Sequence, residues 1–150
     1  YTCSVSVAAS VGGAKQTTSV DLSNTYLDWG KRNFEANELD PSQHRFIRDD
    51  ATRWIARDRR SYDWIFINPP TFSRSKMSKG AFNIHKDHRA LLENAMSSLD
   101  RKGELLFTTH ARAFDLDETI RTKFRVENAT NELVPAHFTR YPYQAFRVRK

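Results

Sequence analysis

The sequence predicts one α/β domain with a mostly parallel sheet and helices on both faces. Short runs rich in β-branched and aromatic residues alternate with stretches of helical periodicity. Polar residues follow successive predicted strands, at Asp21, at Asp49 and Asp50, and at Asn68. Because ligands of open parallel sheets bind beyond the carboxyl ends of the strands, these side chains are expected to line one rim.

The composition is that of a folded, basic domain. The chain has 150 residues, 39% of them hydrophobic and 28% charged, which argues against a membrane-spanning or a disordered protein. The longest apolar run, residues 64–67, is too short to cross a bilayer, and no secretory signal begins the sequence, so a cytoplasmic location is expected. The net charge of +6 favours an anionic partner such as nucleic acid, although a protein that is merely basic fits it equally well.

The first half of the chain predicts two strands, each followed by a helix. Residues 1–13 fit a helix better than a strand, because a parallel crossover to the strand at residues 17–21 would be too short. Ser23 is the expected N-cap of a helix that ends near residue 37 and has an apolar face of Tyr26, Gly30 and Phe34. A second strand at residues 45–48 precedes a short helix.

The second half opens with the most apolar strand of the sequence, residues 62–67, which is expected to be buried on both faces. A polar loop at residues 73–80 leads into a long helix with an apolar face of His88, Leu91, Leu92, Ala95, Met96 and Leu99. A buried strand follows at residues 104–109. Beyond it the pattern predicts a helix near residues 116–123 and strands near residues 125–133 and 145–148.

The run Asn68-Pro69-Pro70-Thr71-Phe72 directly follows this apolar strand. Two prolines fix the backbone there and present their carbonyls and the Asn68 amide at the rim, which a simple strand terminator rarely needs. Phe72 fits either a stacking platform for an extruded base or a core residue. The cations of the next loop fit either a phosphate-binding surface or an ordinary solvated loop.

This run resembles motif IV, [DN]-P-P-x, of class I S-adenosylmethionine-dependent methyltransferases. The longer strings at residues 1–2, 17–27 and 69–76 are similar to the guanine-N7 domain of RlmKL-type bifunctional methyltransferases of 23S ribosomal RNA. The resemblance covers residues 1 to about 114. It implies a Rossmann-like class I methyltransferase fold with its first strand missing from this chain, S-adenosylmethionine as cofactor, ribosomal RNA as partner, and a second methyltransferase domain upstream in the full-length protein.

The resemblance, together with the residue chemistry, gives a set of expected site residues. The expected cofactor contacts are Tyr1, Thr2, Ser4, Asp21, Leu22, Ser23, Asp50, Ala51 and Asn68. The expected contacts to the target base are Asn68, Pro69, Pro70 and Phe72. The expected contacts to RNA phosphates are Arg74, Lys76 and Lys79. No metal site is expected, and helix capping is the alternative role of Asp21 and Asp50.

The chain departs from the family pattern at Cys3, where the family has glycine, and at Asn68, where the nearest relatives have aspartate. The predicted reaction is methylation of guanine, with N7 favoured. The exocyclic N2 also fits, since the Asn68 amide oxygen and the Pro69 carbonyl can accept amine hydrogens. A noncatalytic RNA-binding domain of the same fold and a small-molecule methyltransferase are the alternatives.

The absence of the family's first strand from this sequence leads to an expectation about stability. In this family that strand is central to the sheet, so its loss leaves buried backbone groups without partners. Residues 1–150 alone are therefore expected to be unstable or inactive.

Overall fold

The computed structural model describes residues 2–74, 80–133 and 143–150. The chain divides into two compact units, Tyr1–Trp54 and Ile55–Lys150. Within the described residues, no helix combines the length and the apolar character that crossing a membrane requires.

The first unit contains two parallel strands and the helices around them. Its elements are α1 Ser4–Val11, β1 Thr18–Asp21, α2 Asn24–Ala36, a short 3-10 turn Pro41–Gln43, β2 Arg45–Arg48 and the start of α3, Ala51–Arg57. Strands β1 and β2 pair in parallel, with Asp21 opposite Arg48. The predicted strands and helices of this unit are confirmed.

Helix α2 packs one apolar face against β2. Ser23 caps the helix, since its side chain accepts a hydrogen bond from the Tyr26 N–H at 3.4 Å. The buried face consists of Leu27, Gly30 and Phe34. Tyr26, which was predicted on this face, is 36% exposed. Leu27 lies on the buried face instead, with Gly30 and Phe34 at its i+3 and i+7 positions.

The second unit is built on a mixed sheet. Its elements are β3 Tyr62–Ile67, β4 Phe72–Arg74, β5 Ala81–Asn83, α4 Ile84–Ser97, β6 Leu99–Thr109, α5 Glu118–Lys123, β7 Arg125–Asn128, α6 Thr130–Leu133 and β8 Gln144–Arg149. The main sheet has the order β3-β6-β8-β7. Within the described residues three of its four strands, β3, β6 and β7, run in the same direction, and β8 is antiparallel to both of its neighbours. The predicted mostly parallel sheet therefore contains one reversed strand, β8, because sequence periodicity locates strands without fixing their direction.

Strand β3 lies at the edge of this sheet and is not buried on both faces as predicted. Trp64 is 41% exposed, and its ring stacks on that of Phe66 with centroids 6.0 Å apart. Within the described residues β3 pairs only with β6, and Asp63 is exposed as well as Trp64. The apolar run marks the strand correctly but overstates its burial.

Two further predictions about local structure are wrong. Residues 73 and 74 of the predicted polar loop belong to β4, which forms an antiparallel pair with β5 and sets Phe72 opposite Asn83. The strand predicted at residues 125–133 ends at Asn128, and the chain continues as the short helix α6. Each element is only three or four residues long, which leaves too few positions for a periodic signal.

The core of the second unit forms between α4 and β6. The predicted apolar face of α4 is confirmed, with the exception of Leu99, which opens β6. His88 is buried in this face. Its Nδ1 donates to the Ile84 carbonyl at 2.6 Å, and its Nε2 accepts from the Asp117 N–H at 3.0 Å. Nδ1 thus bonds within α4, and Nε2 joins α4 to the loop before α5.

The environment of His44 lowers its pKa. Its Nδ1 accepts a hydrogen bond from the Thr17 N–H at 3.1 Å, and its ring lies on Phe34 with centroids 4.5 Å apart. Desolvation by burial lowers the pKa of His44 below the usual 6.5, against the opposing charge of Asp40. The unfolded chain therefore binds the proton first as pH falls, so stability present above pH 6.5 is lost as pH drops through the folded pKa.

We expect the free energy of unfolding of the full-length protein to fall as the pH is lowered below about 6.5. The variant His44→Asn keeps an acceptor near the position of Nδ1 but cannot titrate, so its unfolding should depend less on pH in this range. Urea denaturation across the acidic range measures both. An equal pH dependence in the two proteins would contradict the assignment to His44.

Candidate functional site

Asp21 lies at the carboxyl end of β1 in a fixed orientation. Its Oδ1 accepts a hydrogen bond from the Ser23 N–H at 2.8 Å, and its carbonyl accepts from the Asp49 N–H at 3.1 Å. The carbonyl of Leu22 accepts from Arg48 Nε at 3.4 Å. The turn that follows β1 thus holds a carboxylate at the end of the strand and leads directly into α2.

Asp50 caps helix α3. Its Oδ1 accepts from the Thr52 N–H at 2.9 Å and from the Thr52 hydroxyl at 2.6 Å. The side chain of Asp49 also bonds to the backbone, since its Oδ1 accepts a hydrogen bond from the Asp50 N–H at 2.8 Å. Ala51, the first residue of α3, is exposed. The capping role is therefore real, and every hydrogen bond described for the Asp50 side chain uses Oδ1, which leaves Oδ2 for another donor.

Helix α1 begins without a side-chain cap. Its N-cap residue Cys3 has a left-handed backbone with φ 56°, and no side chain accepts a hydrogen bond from the first turn. The Thr2 carbonyl accepts from Asn33 Nδ2 at 2.9 Å, and Ser4 is exposed. Uncapped N–H groups at a helix N-terminus favour a carboxylate or phosphate. Tyr1, the remaining residue predicted here, lies outside the described residues.

Cys3 packs against Gly30 of α2. A Cβ atom built on Gly30 would lie 2.4 Å from Cys3 Sγ, so a larger residue cannot occupy this position without displacement. Cys3 also keeps the positive φ that glycine adopts most easily. Cys3 thus adopts a backbone conformation that favours glycine, and its side chain is accommodated by α2.

In the second unit, Asn68 follows β3 directly and is exposed. Phe72 is 54% exposed, which excludes its alternative role as a core residue. The Arg74 guanidinium lies 5.7 Å from the centroid of the Phe72 ring. The Ile84 N–H donates to the Thr71 carbonyl at 3.1 Å and ties this segment to the start of α4. The exposed aromatic ring is thus presented next to the Asn-Pro-Pro run.

The predicted site residues fall into two groups. The first unit holds the predicted cofactor contacts Thr2, Ser4, Asp21, Leu22, Ser23, Asp50 and Ala51. The second unit holds Asn68, Pro69, Pro70, Phe72 and Arg74 on one short segment. Lys76 and Lys79 lie outside the described residues. The part of the chain that the structure describes contains no group of three or more His, Cys, Asp or Glu side chains that could hold a metal ion.

Sequence reasoning missed His110 and Tyr143. His110 follows the buried strand β6 in the same way as Asn68 follows β3, and this position was a usable signal. Tyr143 precedes β8, whose antiparallel direction is invisible in the sequence. The two rings lie 5.0 Å apart in a T-shaped arrangement.

Comparison with known proteins decides the family. Residues 1–142 match the family model of S-adenosylmethionine-dependent methyltransferases. The chain belongs to this family. It is 45% identical over 142 residues to ribosomal RNA large subunit methyltransferase K/L of Alteromonas mediterranea, and 43% identical over 150 residues to the protein of that name from Pseudomonas aeruginosa. The two matches span 93% and 99% of this chain but only 20% and 21% of the length of the two relatives.

A solved structure supports the same family. A methyltransferase crystallised with S-adenosylhomocysteine superimposes with a TM-score of 0.81 and is 27% identical, over all of this chain and 43% of that one. The family's cofactor is S-adenosylmethionine. The first unit fits such a nucleoside, because it offers carboxylate acceptors at Asp21 and Asp50 and an uncapped helix N-terminus at Ser4.

The contact between Cys3 and Gly30 gives a prediction about stability. Gly30→Ala should lower the free energy of unfolding by about 1–3 kcal/mol, because the new methyl group overlaps Cys3 Sγ. Cys3→Gly should restore most of this loss in the double variant, since it removes the sulfur and suits the positive φ. Urea denaturation of the full-length protein measures each effect.

Gly80→Ala is the matched control, because no heavy atom of the described residues lies within 4 Å of the Cβ that it would gain. We expect it to be nearly neutral. Equal destabilisation by Gly30→Ala in the presence and absence of Cys3 would contradict the proposed overlap.

Proposed function

We propose that this chain is the methyl-transfer core of an enzyme that methylates a guanine of large-subunit ribosomal RNA, with N7 favoured. The observation that carries the proposal is the Asn68-Pro69-Pro70 run at the carboxyl end of β3, followed by the exposed ring of Phe72. The relatives in Alteromonas mediterranea and Pseudomonas aeruginosa, named as ribosomal RNA methyltransferases, support the substrate class.

The residues of the first unit suit the cofactor. Asp21 would accept hydrogen bonds from the ribose hydroxyls, and Asp50 would accept from the exocyclic amine of adenine through Oδ2. The N-terminus of α1 at Ser4 would bind the carboxylate of the methionine moiety. When bound, S-adenosylmethionine supplies an electrophilic methyl group on a sulfonium sulfur.

The Asn-Pro-Pro run would position the target base. Guanine N7 carries a free lone pair, so the residues need only orient the ring and exclude water. For the exocyclic N2, the Asn68 amide oxygen and the Pro69 carbonyl would accept the amine hydrogens. Phe72 would stack on the base after its extrusion from the RNA. The chain needs no protein nucleophile for either reaction.

Basic residues would bind the RNA backbone. Arg74 is exposed beside Phe72, and the chain carries a net charge of +6. Together with Lys76 and Lys79, which follow it in the sequence, Arg74 would neutralise phosphates near the target nucleotide. We place the enzyme in the cytoplasm, where it would meet ribosomal RNA.

A methyl-transfer assay tests the proposal. The full-length protein is incubated with radiolabelled S-adenosylmethionine and either large-subunit ribosomal RNA or a metabolite extract, and the digested RNA is analysed for 7-methylguanosine and N2-methylguanosine. We expect label in ribosomal RNA, mainly as 7-methylguanosine. Asn68→Ala should reduce kcat about a hundredfold, because the target base loses its alignment.

Asn131→Ala, an exposed asparagine of α6, is the matched control and should keep full activity. Label only in metabolites would assign the chain to small-molecule methylation. If the protein neither transfers a methyl group nor binds S-adenosylmethionine, the chain is a noncatalytic domain of the same fold. Either outcome overturns the proposal.

A further inference from the structure

The aromatic pair His110 and Tyr143 lies at the same rim of the second unit as Asn68. Strands β3 and β6 are parallel neighbours with Ile67 opposite Phe107, so Asn68 and His110 both follow the carboxyl ends of adjacent strands. Strand β8 runs antiparallel to β6 with Gln144 opposite Thr109, which brings Tyr143 to this rim as well. From the spacing of strands and the rise per residue, the Cα atoms of Asn68 and His110 are separated by roughly 8 Å.

Local hydrogen bonds hold both residues of the pair in place. The Ala111 N–H donates to Thr109 Oγ1 at 3.0 Å, which closes a turn around His110. The Gln144 side chain donates to the Phe114 carbonyl at 3.1 Å and fixes the start of β8 beside this turn. Phe114 in turn packs on Phe107 with ring centroids 5.6 Å apart. The pair is therefore held by the core of the unit.

The polar atoms of the pair are available to a ligand. His110 is exposed, and Tyr143 is partly exposed. The contact described for the two side chains is the one between their rings, at 5.0 Å and 63°. Among the described residues, neither the imidazole nitrogens nor the phenol oxygen have a hydrogen-bond partner.

We propose that His110 and Tyr143 bind the base of the target nucleotide beside Asn68. The aromatic faces would stack on the base, and the imidazole and phenol would form hydrogen bonds with its edge. A nucleobase fits better than a phosphate, because the pair offers two aromatic rings and no permanent charge. This inference rests on the proposed function, since it names further residues that recognise the same substrate.

Steady-state methylation of transcribed large-subunit ribosomal RNA by the full-length protein tests the pair. His110→Ala and Tyr143→Ala should each lower kcat/KM for RNA roughly tenfold, as expected for the loss of one base-stacking side chain. Tyr143→Phe keeps the ring and should lose less than Tyr143→Ala. Calorimetric binding of S-adenosylmethionine and the thermal unfolding midpoint should remain at wild-type values, which a purely structural role would not allow.

Trp64→Ala is the matched control, because Trp64 is an exposed aromatic residue nearer the other end of β3. It should leave kcat/KM for RNA unchanged. If the wild type methylates ribosomal RNA and Asn68→Ala does not, unchanged kcat/KM in both alanine variants of the pair overturns this inference alone. If the wild type transfers no methyl group to RNA, the proposed function fails, and this inference fails with it.

Discussion

The parallel pairing of β3 with β6 is the constraint on which the candidate chemistry of the second unit depends. It sets Ile67 opposite Phe107, so the residues that follow the two strands emerge side by side. Phe107 is fully buried and packs on Phe114 and Phe146. A shift of one residue in this register would turn Phe107 away from the core, so burial of its ring fixes the position of the rim.

The sequence predicted those parts of the molecule that depend on local chemistry. Ser23 and the apolar spacing of α2 define a helix through contacts within a few residues, and the structure agrees. The Asn-Pro-Pro run could be located because two prolines force the chain out of a strand. The features that sequence reasoning missed depend on distant partners. The exposure of Trp64, the pairing of β4 with β5 and the approach of Tyr143 to His110 all follow from which strands lie next to each other.

Cys3 shows how the first unit accommodates a departure from the family pattern. The backbone at this position is left-handed, and any side chain placed there also needs space. Two different features of the structure provide for these requirements. The backbone keeps φ 56°, at a cost of about 1–2 kcal/mol for a residue other than glycine. The space comes from Gly30, which brings α2 close enough to contact the sulfur. Within the described residues, α1 begins after Cys3 without a side-chain cap.

Calorimetric titration of S-adenosylmethionine into the full-length protein tests the central claim most directly, because cofactor binding precedes any choice of substrate. Asp21→Ala removes the carboxylate at the end of β1, whereas Asp28→Ala removes an exposed carboxylate of α2 that pairs with Lys31. We expect binding by the wild type, equal binding by Asp28→Ala, and affinity at least about tenfold weaker for Asp21→Ala. Equal affinity in all three proteins, or no binding by the wild type, would contradict it.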